Sequence, residues 1–197
     1  MDLGVVVPNQ FAPERNPDKC LEEMRRFTRL VENLGFESLW ATEHHFTDEM
    51  CYFDPFQLLA HLAALTDTIR LGTAVCLVPL YNPVRLGERI ANADAIAGGR
   101  FTFGAGVGYR PEEFEVMGVD RSRRGRRMTE ALEILDSLWN DGPLTYDGTE
   151  FQFEGVEINP RPLQDGGPPV WLGGRAPAAV RRAGQMGDAW LVPASLP

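Results

Sequence analysis

Two adjacent imidazoles, His44 and His45, lie in the string Thr42-Glu43-His44-His45-Phe46, directly after the apolar run Ser38-Leu39-Trp40-Ala41. In parallel α/β proteins, chemistry collects at the C-terminal ends of buried strands. Histidine titrates near neutral pH, so one placed there can act as a general base or as a hydrogen-bond anchor for a cofactor ring. Side chains alternate along a strand, so His44 and His45 are expected to face opposite ways, with one looking into a pocket. Joint ligation of a metal is then disfavoured, no HExxH spacing is present, and no metal site is expected. The plainer alternative is a histidine that caps the strand end by hydrogen bonding.

Other polar or glycine-rich groups also fall at or past strand ends: Asn9-Gln10, Leu80-Tyr81-Asn82, Gly104 to Arg110, and Gly173-Gly174-Arg175. All would converge on one face. Gly104, Gly106 and Gly108 alternate, which lets a flat ring or a backbone approach because no Cβ intrudes. The following Tyr109-Arg110-Pro111-Glu112-Glu113 does not fit a dinucleotide fingerprint. Gly173-Gly174-Arg175 stands between a strand and a helix whose first turn holds Pro177, and free N–H groups with an arginine there suit a phosphate. A plain tight turn is the alternative. Arg110 is a second phosphate candidate. Arg121, Arg123, Arg124, Arg126 and Arg127 read as a solvated helix face paired with Glu130 and Glu133. His61, among Leu58, Leu62 and Leu65, reads as structural, and Trp40 and Trp171 as core residues.

These groups need a scaffold of repeated strand and helix. Leu3 to Val7 is the first expected strand, followed by a helix with Asn16 as N-cap, Pro17 in its first turn and Gly35 as its stop. The second strand runs from Glu37 to about Glu43, Asp54-Pro55 opens a helix, and Ile69 to Val78 is the third strand. Asn82-Pro83 opens the next helix, which stops at Gly98-Gly99 before a fourth strand from Arg100 to Gly106. A long amphipathic helix from about Arg123 to Asn140 leads to a β-hairpin insertion near 144–154, turning at Asp147-Gly148. A loop from Pro160 to Pro169, a strand at 170–172, a helix from Pro177 to Met186 and a strand at 189–192 complete the pattern. Repeated βα units make a parallel sheet. Six strands fit either a doubly wound sheet or a (β/α)8 barrel cut short, since a whole barrel takes about 250 residues.

At 197 residues, 44% hydrophobic and 24% charged, the chain can bury a substantial core as one domain. The net charge of -9 argues against nucleic acid or an anionic membrane as partner. No run approaches the roughly 18 apolar residues of a membrane helix, and Met1-Asp2 leads straight into a strand-like run, so a cytoplasmic protein is expected. Cys20, Cys51 and Cys76 lack CxxC spacing and read as buried or incidental thiols. The apolar content of helices 54–66 and 83–97 suggests a dimer contact, hence a homodimer.

Taken together the residues resemble the bacterial luciferase-like monooxygenases, flavin- or deazaflavin-dependent oxidoreductases on a TIM barrel. The resemblance covers the whole chain, 1–197. It is carried by Ala41-Thr42-Glu43-His44-His45-Phe46, Leu71-Gly72-Thr73-Ala74-Val75, Asn82-Pro83-Val84-Arg85 and the stretch from Gly99 to Tyr109. Glu112-Glu113-Phe114 with Gly118, Gly125-Arg126-Arg127-Met128, Phe153-Glu154-Gly155-Val156 and Pro169 to Gly174 extend it.

The resemblance implies a (β/α)8 barrel truncated after about six strands and incomplete at its C-terminus. It implies reduced FMN with dioxygen, or hydride transfer with coenzyme F420, acting on a small organic substrate. It matches His44 to the histidine beside the flavin's reactive edge, where proton transfer is assisted. Ala74 and Val75 match a bulge, often with a non-prolyl cis peptide, that backs the isoalloxazine ring. Gly106 at the end of strand four and the Gly173-Gly174-Arg175-Ala176 turn match segments that hold the cofactor phosphate. Val107 stands where bacterial luciferase has a phosphate-binding arginine, so Arg110 or Arg175 would serve instead. The strings Gly108-Tyr109-Arg110-Pro111-Glu112-Glu113-Phe114 and Gly125-Arg126-Arg127-Met128 look closer to F420-using branches. A non-catalytic flavin-binding or dimer-partner protein is the alternative reading.

Overall fold

Apolar runs of four to six residues between well-capped helices give a parallel sheet in which each helix returns the chain to the next strand. The computed structural model describes residues 3–192; residues 1–2 and 193–197 of the expected domain lie outside the described residues. The elements are β1 (Gly4–Val6), β2 (Gln10–Phe11), α1 (Pro17–Asn33), β3 (Ser38–Ala41), β4 (Cys51–Tyr52), α2 (Pro55–Ala63), β5 (Arg70–Thr73) and β6 (Cys76–Leu77). A 3-10 turn at Val78–Leu80 leads to α3 (Pro83–Ile96), β7 (Phe101–Gly106) and α4 (Pro111–Val116). A second 3-10 turn at Arg121–Arg123 precedes α5 (Arg124–Asn140), β8 (Leu144–Asp147), β9 (Gln152–Val156), β10 (Val170–Gly173), α6 (Pro177–Met186) and β11 (Ala189–Leu191).

The three N-caps expected from Asx-Pro all form. Asn16 accepts from Lys19 N, Asp54 from Gln57 N, and Asn82 from both Val84 N and Arg85 N. The last carbonyl of α2 and the segment that follows are met by a side chain from elsewhere: Arg100, just before β7, donates to Ala63 O, Thr66 O and Ile69 O. The core lies between the helices and the sheet, around Leu39, Leu71, Phe101 and Phe103 on the strands and Met24, Leu59, Ile90 and Ile134 on the helices.

Strand order is β1-β3-β5-β7-β10-β11, all parallel, with β6 also pairing β7. The order never reverses, so right-handed crossovers place every helix on the same side of the sheet. That decides between the two architectures left open by periodicity: this is the wall of a (β/α)8 barrel, not a doubly wound sheet. The other face curls inward. Trp40 on β3 and Trp171 on β10 are three strands apart, roughly 14 Å in a flat sheet, yet their ring centroids lie 4.9 Å apart. Glycines make the room: a methyl group on Gly72 would sit 2.5 Å from the Trp40 ring.

Three departures matter for the site. The expected unbroken strand from Ile69 to Val78 stops at Thr73, the Ala74–Val75 peptide is cis, and β6 resumes at Cys76. The ladder to β3 ends there because Ala74 N donates to Ala41 O while Leu77 N turns to the Glu43 carboxylate. The short ribbon of β2 with β4, and helix α4, were not expected; the ribbon pairs residues some forty positions apart, beyond any local pattern. Glu130 and Glu133 do not pair with the arginine cluster. Glu130 accepts Thr149 N, Glu150 N and Phe151 N from the tip of the β8–β9 hairpin, and Glu133 accepts the Tyr146 hydroxyl. Arg127 donates to Pro79 O and covers the Phe151 ring at 4.7 Å. Among the described residues, no helix is long and apolar enough to cross a membrane.

Gly104 tests the curled wall. A methyl group there would lie 1.7 Å from Thr73 O, a backbone atom that cannot rotate away. Gly104→Ala should lower unfolding free energy by roughly 1–3 kcal/mol, measured by denaturant titration; unchanged stability would show that β5 and β7 are not clamped this closely.

Candidate active site

The polar groups at the strand ends are assembled by buried hydrogen bonds. Asn9, 1% exposed, donates to Thr42 O at 2.8 Å and to Phe53 O at 3.3 Å, and accepts from Thr42 N and Oγ1. The end of β1 is thereby tied to the residue that opens the histidine string. The β2–β4 ribbon then brings Tyr52 over the same region, its hydroxyl donating to Gln10 Oε1 at 2.8 Å.

His44 and His45 face different neighbours, as alternation requires. The His44 ring meets the edges of Tyr52 at 5.4 Å and Tyr109 at 5.6 Å, and its Nδ1 lies 3.0 Å from Glu113 Oε1. That same oxygen accepts His45 N at 3.0 Å. Oε1 thus meets both His45 N and Nδ1 of His44, which leaves Nε2 as the ring nitrogen not directed at Glu113. Glu113 is completely buried, and its Oε2 has no partner among the described residues. A buried carboxylate oxygen without a donor is costly unless a ligand or solvent molecule supplies one.

His45 turns to the other buried acid. Its Nε2 is 3.2 Å from Glu43 Oε1, an ion-pair distance not aligned as a hydrogen bond. The Glu43 carboxylate holds this imidazole above the ordinary histidine value, against the opposing effect of burial. Glu43 also accepts Leu77 N at 2.5 Å and the Tyr81 hydroxyl. Burial first, and the Glu43 charge second, push the Tyr81 phenol and the Cys76 thiol upward, so both remain protonated.

The structure brings part of the expected cofactor set together. Val75 packs against two glycines: a methyl group on Gly106 would lie 2.5 Å from Val75 Cγ2, and one on Gly173 would lie 3.1 Å from Val75 Cγ1. The cis Ala74–Val75 peptide stands beside this surface, and the missing Cβ atoms of Gly106 and Gly173 are what admit the Val75 side chain. At the Gly173-Gly174-Arg175-Ala176 turn, Gly174 has φ +146° and its carbonyl accepts Trp190 Nε1 at 2.8 Å. Ala176 is the N-cap of α6 and brings no capping side chain; Pro177 has no N–H and Ala179 N donates to Ala176 O at 2.8 Å, so Ala178 N is the first-turn donor that could face an anion. Arg110 is placed differently, at the start of α4 on the Tyr52 side. Burial raises the Tyr52 phenol and the Arg110 charge opposes that rise. Val107 packs against the core.

Glu113 was missed by motif reading. Glu112 and Glu113 look equivalent as a pair in a first helical turn, yet the first is exposed and the second buried. The one local signal is Phe114, itself buried beside Glu113. Glu43 was read only as part of its string. His61 accepts from Arg25 Nε at 2.8 Å, in line with a structural role. Among the described residues, no group of three His, Cys, Asp or Glu side chains could hold a metal ion.

Comparison with known proteins places this geometry. The model of the luciferase-like monooxygenase family matches residues 1–197. The oxygenase component of the flavin-dependent trigonelline monooxygenase of Acinetobacter baylyi is 32% identical over 180 residues, 90% of this chain and 50% of that one. A monooxygenase from Streptomyces bottropensis superposes with a TM-score of 0.92 at 29% identity, covering 100% of this chain and 61% of its own. The coenzyme F420 dependent tetrahydromethanopterin reductase of Methanopyrus kandleri shares the fold, with a TM-score of 0.78 at 22% identity over 97% of this chain and 55% of that one. The chain spans about half the length of the curated relatives it matches.

The raised His45 gives a signed pH effect. Its favourable contribution is fully present below the unfolded-state value and is lost as pH rises through the higher folded-state value. His45→Gln should therefore cost more stability at about pH 5.5 than at about pH 8.5, on either side of the ordinary histidine value. Denaturant midpoints at the two pH values check this, and a larger cost at the higher pH would contradict it.

Proposed function

This chain belongs to the luciferase-like monooxygenase family, and on that premise we propose that it is an oxidoreductase binding reduced FMN, or coenzyme F420, at the strand ends. The observation that carries the proposal is the His44–Glu113 pair, which turns Nδ1 of His44 to the buried acid, at the strand ends where Val75, Gly106 and Gly173 also lie. The flavin named in the Acinetobacter baylyi relative and the F420 named in the Methanopyrus kandleri reductase are the two cofactors to weigh.

The donors present fit such a group. Ala74 and Val75 would back the ring, with Gly106 and Gly173 admitting the Val75 side chain; Gly174, Arg175 and Ala176 would meet the phosphate at the start of α6. Bound there, reduced flavin supplies electrons to dioxygen, or F420 supplies a hydride, for a small organic substrate. The chain's own part is proton handling and exclusion of water. His44 Nε2 takes or returns a proton at the reactive edge, and Glu113 holds the imidazole in the tautomer that makes this possible. Tyr52 and Tyr109 shield the imidazole by their edges. A homodimer is proposed through α2 and α3, which share a groove of about 810 Å³ reaching the half-exposed Ile96.

The second reading, a flavin-binding or dimer-partner protein without turnover, is favoured by Val107 and by the six-strand extent of the sheet among the described residues. Parallel fluorescence titration with oxidised FMN and F420 separates the cofactors: selective binding of one is expected, and binding of neither would count against the site. His44→Ala should keep cofactor binding and lower turnover by about a hundredfold or more, as for loss of a general base. Unchanged turnover would remove His44 from the chemistry; binding without turnover in the unsubstituted protein would support the second reading.

A further inference from the structure

Glu43 is not needed to hold either proposed reactive group, yet it is the most heavily engaged acid at the strand ends. It is 2% exposed and accepts Leu77 N at 2.5 Å and the Tyr81 hydroxyl, with His45 Nε2 at 3.2 Å. Leu77 is two residues beyond Val75, in the strand that restarts after the cis peptide. Glu43 immediately precedes His44. One carboxylate thus joins the chain segment that carries the imidazole to the segment that leaves the ring-backing surface.

The remaining contacts show why this join controls position. On the near side of the bulge, Ala74 N is already fixed to Ala41 O at 2.7 Å. On the far side, β6 pairs with Ala105 and Gly106 of β7, leaving the neighbour on the β3 side to be replaced. Glu43 replaces it, filling the role a strand carbonyl would have had for Leu77 N. Val75 lies between these two anchors, its Cγ atoms against Gly106 and Gly173.

We propose that Glu43 is a positioning residue that sets the distance between the His44 imidazole and the Ala74–Val75 backbone, by pinning Leu77 N and Tyr81 to the histidine strand. The inference rests on the cofactor reading above for its functional consequence, but not for the pin itself. A carboxylate suits this place because two polar hydrogens, from Leu77 N and the Tyr81 hydroxyl, converge on one buried side chain with the His45 imidazole beside it. An amide at position 43 keeps a single oxygen acceptor, so Leu77 N and Tyr81 can no longer both donate to separate oxygens of it.

The test uses the full chain in two measurements. In the protein without cofactor, Glu43→Gln should accelerate amide hydrogen exchange at Cys76 and Leu77 by about tenfold or more, as expected for loss of a hydrogen bond to a charged group. Exchange in α1 and α5 should be unchanged. With FMN or F420, whichever the unsubstituted protein binds, affinity should fall about tenfold, and the visible absorption of the bound chromophore should shift although Glu43 does not touch it. His44→Ala should leave affinity in place, which separates positioning from chemistry. If Glu43→Gln fails to fold, Tyr81→Phe replaces it, since it removes one donor and keeps the carboxylate; affinity should then fall about threefold, within the range of one hydrogen bond. Unchanged exchange at Leu77, or unchanged affinity and absorption in a folded variant, overturns the proposal. If the unsubstituted protein binds neither cofactor, the cofactor reading fails, and the exchange measurement alone decides whether Glu43 is the pin.

Discussion

Buried carboxylates that accept backbone N–H groups hold the loops of this half-barrel to its strands and helices. Glu43 takes Leu77 N, Glu113 takes His45 N, Glu130 takes three N–H groups of the hairpin tip, and Asp94 takes Leu163 N and Gln164 N. Each closes a loop that has no strand or helix partner for its donors. Buried donors must be met, and an ionised oxygen on a rigid element is the strongest short-range acceptor available. Part of the net charge of -9 is therefore structural rather than a solvated surface.

The same device separates the two histidines chemically. Adjacent in sequence, they end beside different acids. Glu113 meets Nδ1 of His44, whereas Glu43 draws His45 toward the charged form while accepting Leu77 N and the Tyr81 hydroxyl. The neutral Tyr81 phenol and Cys76 thiol follow from burial near Glu43, so both keep their hydrogens near neutral pH and His45 is the neighbour that titrates there.

The interior face adds a steric constraint to the electrostatic one. Trp40 and Trp171 meet across the curl, and Gly72 and Gly104 are what let the strands close around them. Above this layer the glycines continue as Gly106 and Gly173, where they face Val75 rather than tryptophan. Gly72 makes room for the Trp40 ring, Gly104 for the β5 backbone, and Gly106 and Gly173 for the Val75 side chain. The alternating Gly104, Gly106 and Gly108 thus serve close packing along the strand and past its end.

Local signals in the sequence determined much of this protein. Asn16, Asp54 and Asn82 with their prolines placed three helix starts, since caps act within four residues. Apolar runs placed the six parallel strands, and the hairpin was legible although its turn lies at 148–151 rather than at Asp147-Gly148. The strand-end position of His44 and the glycine turn at 173–176 are short motifs, whereas the break at Ala74–Val75 came only from the family resemblance, against a pattern that reads as one strand. Tertiary structure alone decided the rest. Strand order, which makes a barrel wall of the repeat, depends on how helices pack. The choice of Glu113 over Glu112 depends on which side of α4 faces His44, sixty-nine residues away. Glu43 joins a loop thirty-four residues on, and Glu130 left its arginines for a hairpin tip. Capping and alternation act through neighbouring atoms, whereas a buried carboxylate finds its donors only after distant segments have been brought within 3 Å.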